Sequence, residues 1–247
     1  MKFRDVTTIV SFIFLAIAAY SQDNSCAYTF TYPAAQFSLC VTVWGTLASI
    51  QSPIGVNHLD AAQPVEGWSS FILDDAGGQD GATVIPGLDT LSWTSPPTVT
   101  QPNGPGTLPL LFAYGDGENF QEAITALPYE RTIALALRIR SCGDCFWSGT
   151  VSRVANIRAD GNSTSNFAHS SFAAFGYVTH GVMLSVPEMG AAFGCAGTDP
   201  NGASALTYFD CSLSNNPFAG PGAVFSSWGF QSQLGEPLTM MAAYRVF

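Results

Sequence analysis

From Thr132 to Arg140 the chain reads TIALALRIR, and the alternation is strict. Ile133, Leu135, Leu137 and Ile139 share one parity; Thr132, Ala134, Ala136, Arg138 and Arg140 take the other. Successive Cβ atoms leave a strand on opposite faces, so the pattern predicts a half-buried β-strand and not a helix. A second run at 150–159 follows a short Cys-Gly-Asp-Cys connection. The two runs read as a hairpin in the middle of an antiparallel sheet.

Other short runs of strand character lie at 26–32, 37–44, Leu47–Gln51, 69–73, 83–85, 90–94, 108–114, 170–175, 177–186, 205–210, 224–231 and 237–247. With 24 Gly and 15 Pro to punctuate them, they predict an all-β chain, an antiparallel β-sandwich with long Gly/Pro-rich loops. No amphipathic helix and no internal repeat stands out. The proline-rich segment 95–109 is the one candidate domain boundary. Proline fixes φ and gives up a ladder donor, so a stiff loop inside a single domain over 22–247 is expected there.

Residues 1–21 have the layout of a signal peptide: Lys2 and Arg4, an apolar run from Val6, and Ala19-Tyr20-Ser21 before the expected cleavage site. The apolar run falls short of the ~20 residues of a spanning helix, and no later segment supplies one. A secreted or periplasmic protein, with no membrane span after cleavage, is the expectation. Without that segment six basic residues remain, all arginine, against 17 acidic ones. So acidic a chain is unsuited to nucleic acid or anionic lipid, which need a cationic surface.

Cys26, Cys40, Cys142, Cys145, Cys195 and Cys211 all follow the expected cleavage site. An even count in an exported chain reads as disulfides, and proximity in sequence suggests 26–40, 142–145 and 195–211 among 15 possible pairings. The Cys142-Gly-Asp-Cys145 spacing also suits a redox dithiol. That chemistry wants the first thiol at a helix N-terminus, whereas this motif lies between strands, which favours a staple. His58, His169 and His180 are too scattered for zinc.

Three groups of residues are candidates for a site. Arg138 and Arg140 share one strand face, where guanidinium groups would match a uronate, phosphate or partner carboxylate, or else pair with the chain's own acids. Trp147, next to the Cys-Gly-Asp-Cys connection, is the first choice among Trp44, Trp68, Trp93, Trp147 and Trp228 for a sugar-stacking platform, although tryptophans in a sandwich mostly pack the core. Asp74, Asp75 and Asp80, in an acidic glycine-rich loop, offer oxygen ligands for calcium, the one cofactor considered, without EF-hand spacing. Glycoside hydrolysis would need two flanking carboxylates. Glu118, Glu122 and Glu130 lie near the central strands, and no motif selects a pair. Asn162-Ser163-Thr164 is a formal glycosylation sequon.

The segment DGENFQEAIT, the strand opening E-R-T before its apolar alternation, and an R-x-A-D-G turn after it resemble a group of exported bacterial β-sandwich proteins. They are more distantly similar to the super-sandwich of galactose-mutarotase-like domains. The resemblance spans roughly residues 40–185 and implies a sandwich and a link to carbohydrate, with no catalytic motif. The chain is thus expected to be a non-enzymatic exported sandwich that binds carbohydrate or a cell-surface protein. The alternatives are a glycan-active enzyme with a carboxylate pair and an outer-membrane β-barrel. Against the barrel, Arg245 would share the lipid-facing parity of Phe247.

Overall fold

The computed structural model describes residues 25–59, 66–74, 79–80, 95–115, 117–141, 146–156, 166–169, 173–177, 181–185, 205–214, 223–233 and 237–247. The strands in chain order are β1 (Tyr28–Tyr32), β2 (Phe37–Val41), β3 (Leu47–Gln51), β4 (Glu66–Asp74), β5 (Gln79–Asp80), β6 (Thr98–Thr100), β7 (Leu110–Tyr114) and β8 (Phe120–Leu127). They continue as β9 (Thr132–Arg140), β10 (Phe146–Asn156), β11 (Asn166–His169), β12 (Ala173–Tyr177), β13 (Gly181–Ser185), β14 (Ala205–Ser214), β15 (Ala223–Gln233) and β16 (Pro237–Val246).

These strands form three antiparallel sheets. The largest has eight strands in the order β11-β12-β13-β16-β9-β8-β7-β6; a second runs β14-β15-β10-β4-β5, and β1-β2-β3 make a third. One hydrophobic cluster joins them. The eight-stranded sheet supplies Phe112, Ile124, Ile133, Leu135 and Met240, the five-stranded sheet Trp68, and the three-stranded sheet Phe37 and Leu39. The result is the expected β-sandwich. Among the described strands, β6 and β11 are the outermost of the eight-stranded sheet.

Along β9 burial alternates as the sequence implies, with Ile133, Leu135, Leu137 and Ile139 inside. The hairpin expectation for β9 and β10 is corrected. β9 pairs with β8 and β16, whereas β10 pairs with β4 and β15 in the other layer. The two strands therefore belong to different sheets. The hairpin partner of β9 is β8, whose core face carries a glutamate and so lacks a clean apolar alternation.

Two hairpins share one loop design. β1–β2 turns through a 3-10 segment at Pro33–Ala35, and β8–β9 through another at Pro128–Glu130. Each closes on a left-handed residue, Gln36 (φ 50°) and Arg131 (φ 51°), whose N–H donates to the proline carbonyl. The first hairpin is also stapled by Cys26–Cys40, with Cα atoms 5.5 Å apart. Cys142, Cys145 and Cys195 lie outside the described residues, as does the side chain of Cys211. The proline-rich segment supplies β6, which pairs with β7 at the sheet's outer position, where a neighbouring proline removes no ladder bond.

Candidate functional site

Two polar assemblies meet on β8, one on each face. On the core face, Glu122 stands in register between the buried Phe112 and Leu137, an environment that excludes an isolated charge. Arg153 on β10 reaches it from the opposing sheet, Nη1 donating to Glu122 Oε1 at 2.9 Å. The same guanidinium donates from Nε to Glu66 Oε1 on β4 at 2.6 Å, with Nη2 2.5 Å from that oxygen as an ion pair. Arg153 is completely buried and lies over the Trp68 ring, 5.1 Å from its centroid.

Further donors complete the shell. Trp68 Nε1 donates to Glu122 Oε1 at 2.9 Å, Tyr244 Oη to Glu66 Oε1 at 2.8 Å, and the Leu47 N–H to Glu66 Oε2 at 2.5 Å. Tyr114 Oη lies 2.8 Å from Glu122 Oε2 and 2.9 Å from the Trp44 carbonyl oxygen. Six strands of three sheets are tied through one guanidinium and two carboxyls. Gly45 permits the approach of the loop between β2 and β3: its φ is +81°, and a Cβ there would stand 2.7 Å from Glu122 Oε2.

Two carboxyls and one guanidinium leave an excess negative charge out of water. Burial pushes the Glu122 carboxyl up to about 7, against the pull of Arg153 and the Tyr114 hydrogen bond. Tyr114 Oη has one proton for two acceptors, Glu122 Oε2 and the Trp44 carbonyl oxygen. Burial also raises the Glu66 carboxyl. Each of its contacts is a donor, however, so Glu66 is the carboxylate that balances Arg153. Burial works to lower the Arg153 guanidinium, and the two carboxyls outweigh it. Tyr114 and Tyr244 are raised well above the phenolic range by burial first, then by Glu122 and Glu66 respectively.

The opposite face of the sheet carries a groove of about 370 Å³. Strand register organises it into two neighbouring rungs. One crosses β6, β7, β8, β9 and β16 as Thr98, Ala113, Gln121, Arg138 and Thr239. The next crosses the first four of these strands as Thr100, Leu111, Ala123 and Ala136. The first rung is polar at three adjacent strands, and the second is mostly small and apolar. Arg138 Nη1 donates to Gln121 Oε1 at 3.2 Å, and Gln121 Nε2 donates to the Gly117 carbonyl at 2.6 Å.

Of the residues singled out in the sequence, Arg138 lines this groove, and Arg140 lies exposed on the same face of β9. Trp147 is corrected: only 7% exposed, it belongs to the core and stacks on Phe120 at 6.0 Å, with no ring face left for a sugar. It shares its parity on β10 with the buried Arg153 and Ala155, which turns it inward. Asp75 and the side chains of Asp74 and Asp80 lie outside the described residues, and no group of metal-ligating side chains occurs among the described ones. Glu118 and Glu130 are exposed, apart from the buried Glu122. The buried network itself was missed. Its signal was parity: Glu122 alternates with Ile124, and Arg153 with Ala155, each charge standing at a core position.

No family model matches the chain, and no curated protein sequence does. Among solved structures it is similar to a putative aldose 1-epimerase from Escherichia coli K12, with 11% identity and a TM-score of 0.45 over 89% of this chain and 98% of that one. It is also similar to the heparan sulfate lyase HepC from Pedobacter heparinus, with 7% identity and a TM-score of 0.30 over 56% of this chain and 19% of that one.

Proposed function

We propose that the protein is an exported, non-enzymatic saccharide-binding sandwich, and that the groove on the outer face of the eight-stranded sheet is its binding site. The observation that carries this is the pairing of two rungs. A pyranose presents hydroxyls around its rim and C–H groups on its faces. The polar rung Thr98, Gln121, Arg138 and Thr239 offers hydroxyl, amide and guanidinium partners beside the small apolar surface of Leu111, Ala123 and Ala136. Shallow apolar floors with a few fixed polar groups are the usual construction of small-ligand sites. The Cys26–Cys40 disulfide supports export to an oxidising compartment.

The two carboxyls brought together in the core do not supply a hydrolytic pair. A glycosidase needs two of them open to the substrate. Glu66 and Glu122 are sealed in the core and held by Arg153. The experiment is titration of a glycan panel against the parent and Ala136→Phe, which fills the groove from a half-buried outward position. Loss of binding with an unchanged melting temperature is expected. Binding undiminished in the filled variant would remove the groove from consideration, and release of reducing sugar would reinstate the enzyme.

A further inference from the structure

Among the described residues, the groove contains a cation that its surroundings do not neutralise. Arg138 has five N–H donors, and its one hydrogen bond goes to the neutral amide of Gln121. Among the described residues no carboxylate lies within ion-pair distance of it, unlike Arg153. In a chain with 18 acidic residues and 8 basic ones, a half-buried arginine without a carboxylate is unexpected on charge alone.

Its orientation is also fixed in advance. Gly117 closes a tight turn after β7, its N–H donating to the Tyr114 carbonyl at 2.9 Å, and its own carbonyl accepts from Gln121 Nε2. That bond leaves Gln121 Oε1 aimed at Arg138 Nη1. The guanidinium is thus held over the groove with its other N–H groups uncommitted, the preorganisation a bidentate anion site requires.

We infer that the groove takes a saccharide carrying a carboxylate, a hexuronate residue, whose acid group is bound by Arg138 while Gln121 positions that arginine. This rests on the saccharide-binding reading above and names the class of sugar. One guanidinium matches one planar carboxylate, with two oxygens facing two parallel N–H groups. A densely sulfated glycan would need several cations, and the overall acidity of the chain opposes such a polyanion.

The test is calorimetric titration of the full chain with galacturonate and glucuronate oligosaccharides and with the same oligosaccharides after carboxyl reduction. The uronates should bind on the order of tenfold or more tightly than their reduced forms, the usual weight of a charge-assisted hydrogen bond. Arg138→Gln should abolish that preference. Gln121→Glu places a carboxylate on Arg138 from within and should abolish it too, with the fold and melting temperature retained. Equal binding of reduced and native oligosaccharides would overturn the hexuronate inference and leave saccharide binding standing. Failure of every oligosaccharide, neutral or acidic, would overturn both. Dextran sulfate binding as tightly as the uronates would show attraction by charge alone and overturn the inference.

Discussion

Gln121 and Glu122, consecutive on β8, each hold an arginine, and they do so on opposite faces of one sheet. Glu122 accepts from Arg153 inside the sandwich, and Gln121 accepts from Arg138 outside it. The alternation of a strand sends neighbouring side chains to different environments. The buried partner is the acid, with its opposite charge supplied from another sheet; the outer one is the neutral amide, and its arginine keeps its charge. The buried and the outer arginine contacts are thereby separated by a single residue step.

Removing the inner arginine should be severe. Arg153→Met leaves Glu66 charged in the core without its partner, and breaking one side of a buried ion pair costs about 3–5 kcal/mol. Glu122→Gln should cost less, because an amide oxygen still accepts from Arg153 and Trp68. Urea denaturation of both variants beside the parent checks the order, and a smaller loss for Arg153→Met would contradict it.

The Glu122 carboxyl also makes stability depend on pH. It titrates near 4.5 when unfolded and at about 7 when folded. Between those values the folded chain keeps a proton that the unfolded chain has released. Its contribution is therefore full below about pH 4.5, declines as pH rises, and is gone above about 7. The slope for one such proton is about 1.4 kcal/mol per pH unit. Denaturation from pH 5 to 8 should show the parent losing stability relative to Glu122→Gln, and parallel profiles would refute the assignment.

Gly45 offers a test of close packing. An alanine there would have both a left-handed φ and a Cβ pressed on Tyr114 and Glu122. Gly104→Ala shares the strain, with φ +103°, but has nothing within 4 Å of its Cβ. Strain alone costs about 1–2 kcal/mol, and overpacking adds about 1–3. Gly45→Ala should therefore melt clearly below Gly104→Ala. Equal losses would mean that the loop between β2 and β3 yields easily.

The Cys26–Cys40 staple closes a short loop, with a sequence separation of 14. Replacing both cysteines by serine should cost about 3 kcal/mol if loop entropy governs the effect. Calorimetry of the paired variant tests this, and an unchanged melting temperature would show that β1 and β2 hold together unaided.

Strands whose inner positions are all apolar were legible in the sequence. β3 falls at Leu47–Gln51 and β9 at Thr132–Arg140, as their alternation implies. β8 was not, because Glu122 occupies a core position that makes sense only once Arg153 arrives from another sheet. β6 hid within prolines that an outermost strand tolerates. Arg138 could be singled out from its strand face. Its groove could not, since Thr98, Gln121, Arg138 and Thr239 meet only through register across five strands. Trp147 was misplaced because β10, the strand that carries it, was assigned to the wrong sheet, and with it the direction of its side chain.

β16 lies between β9 and β13, although it follows both in the sequence. It pairs with β9 from Pro237–Arg140 to Arg245–Thr132, and with β13 only at Val182–Val246 to Ser185–Ala243. During synthesis, β6 to β9 and β11 to β13 emerge as two separate half-sheets with no strand to join them. Long-range pairing of this kind is slow to form, and unpaired strands waiting for it can be captured by other chains. Association of the two halves is therefore a late event in folding. A chain halted before residue 237 would leave β9 and β13 each lacking a neighbour, open to aggregation.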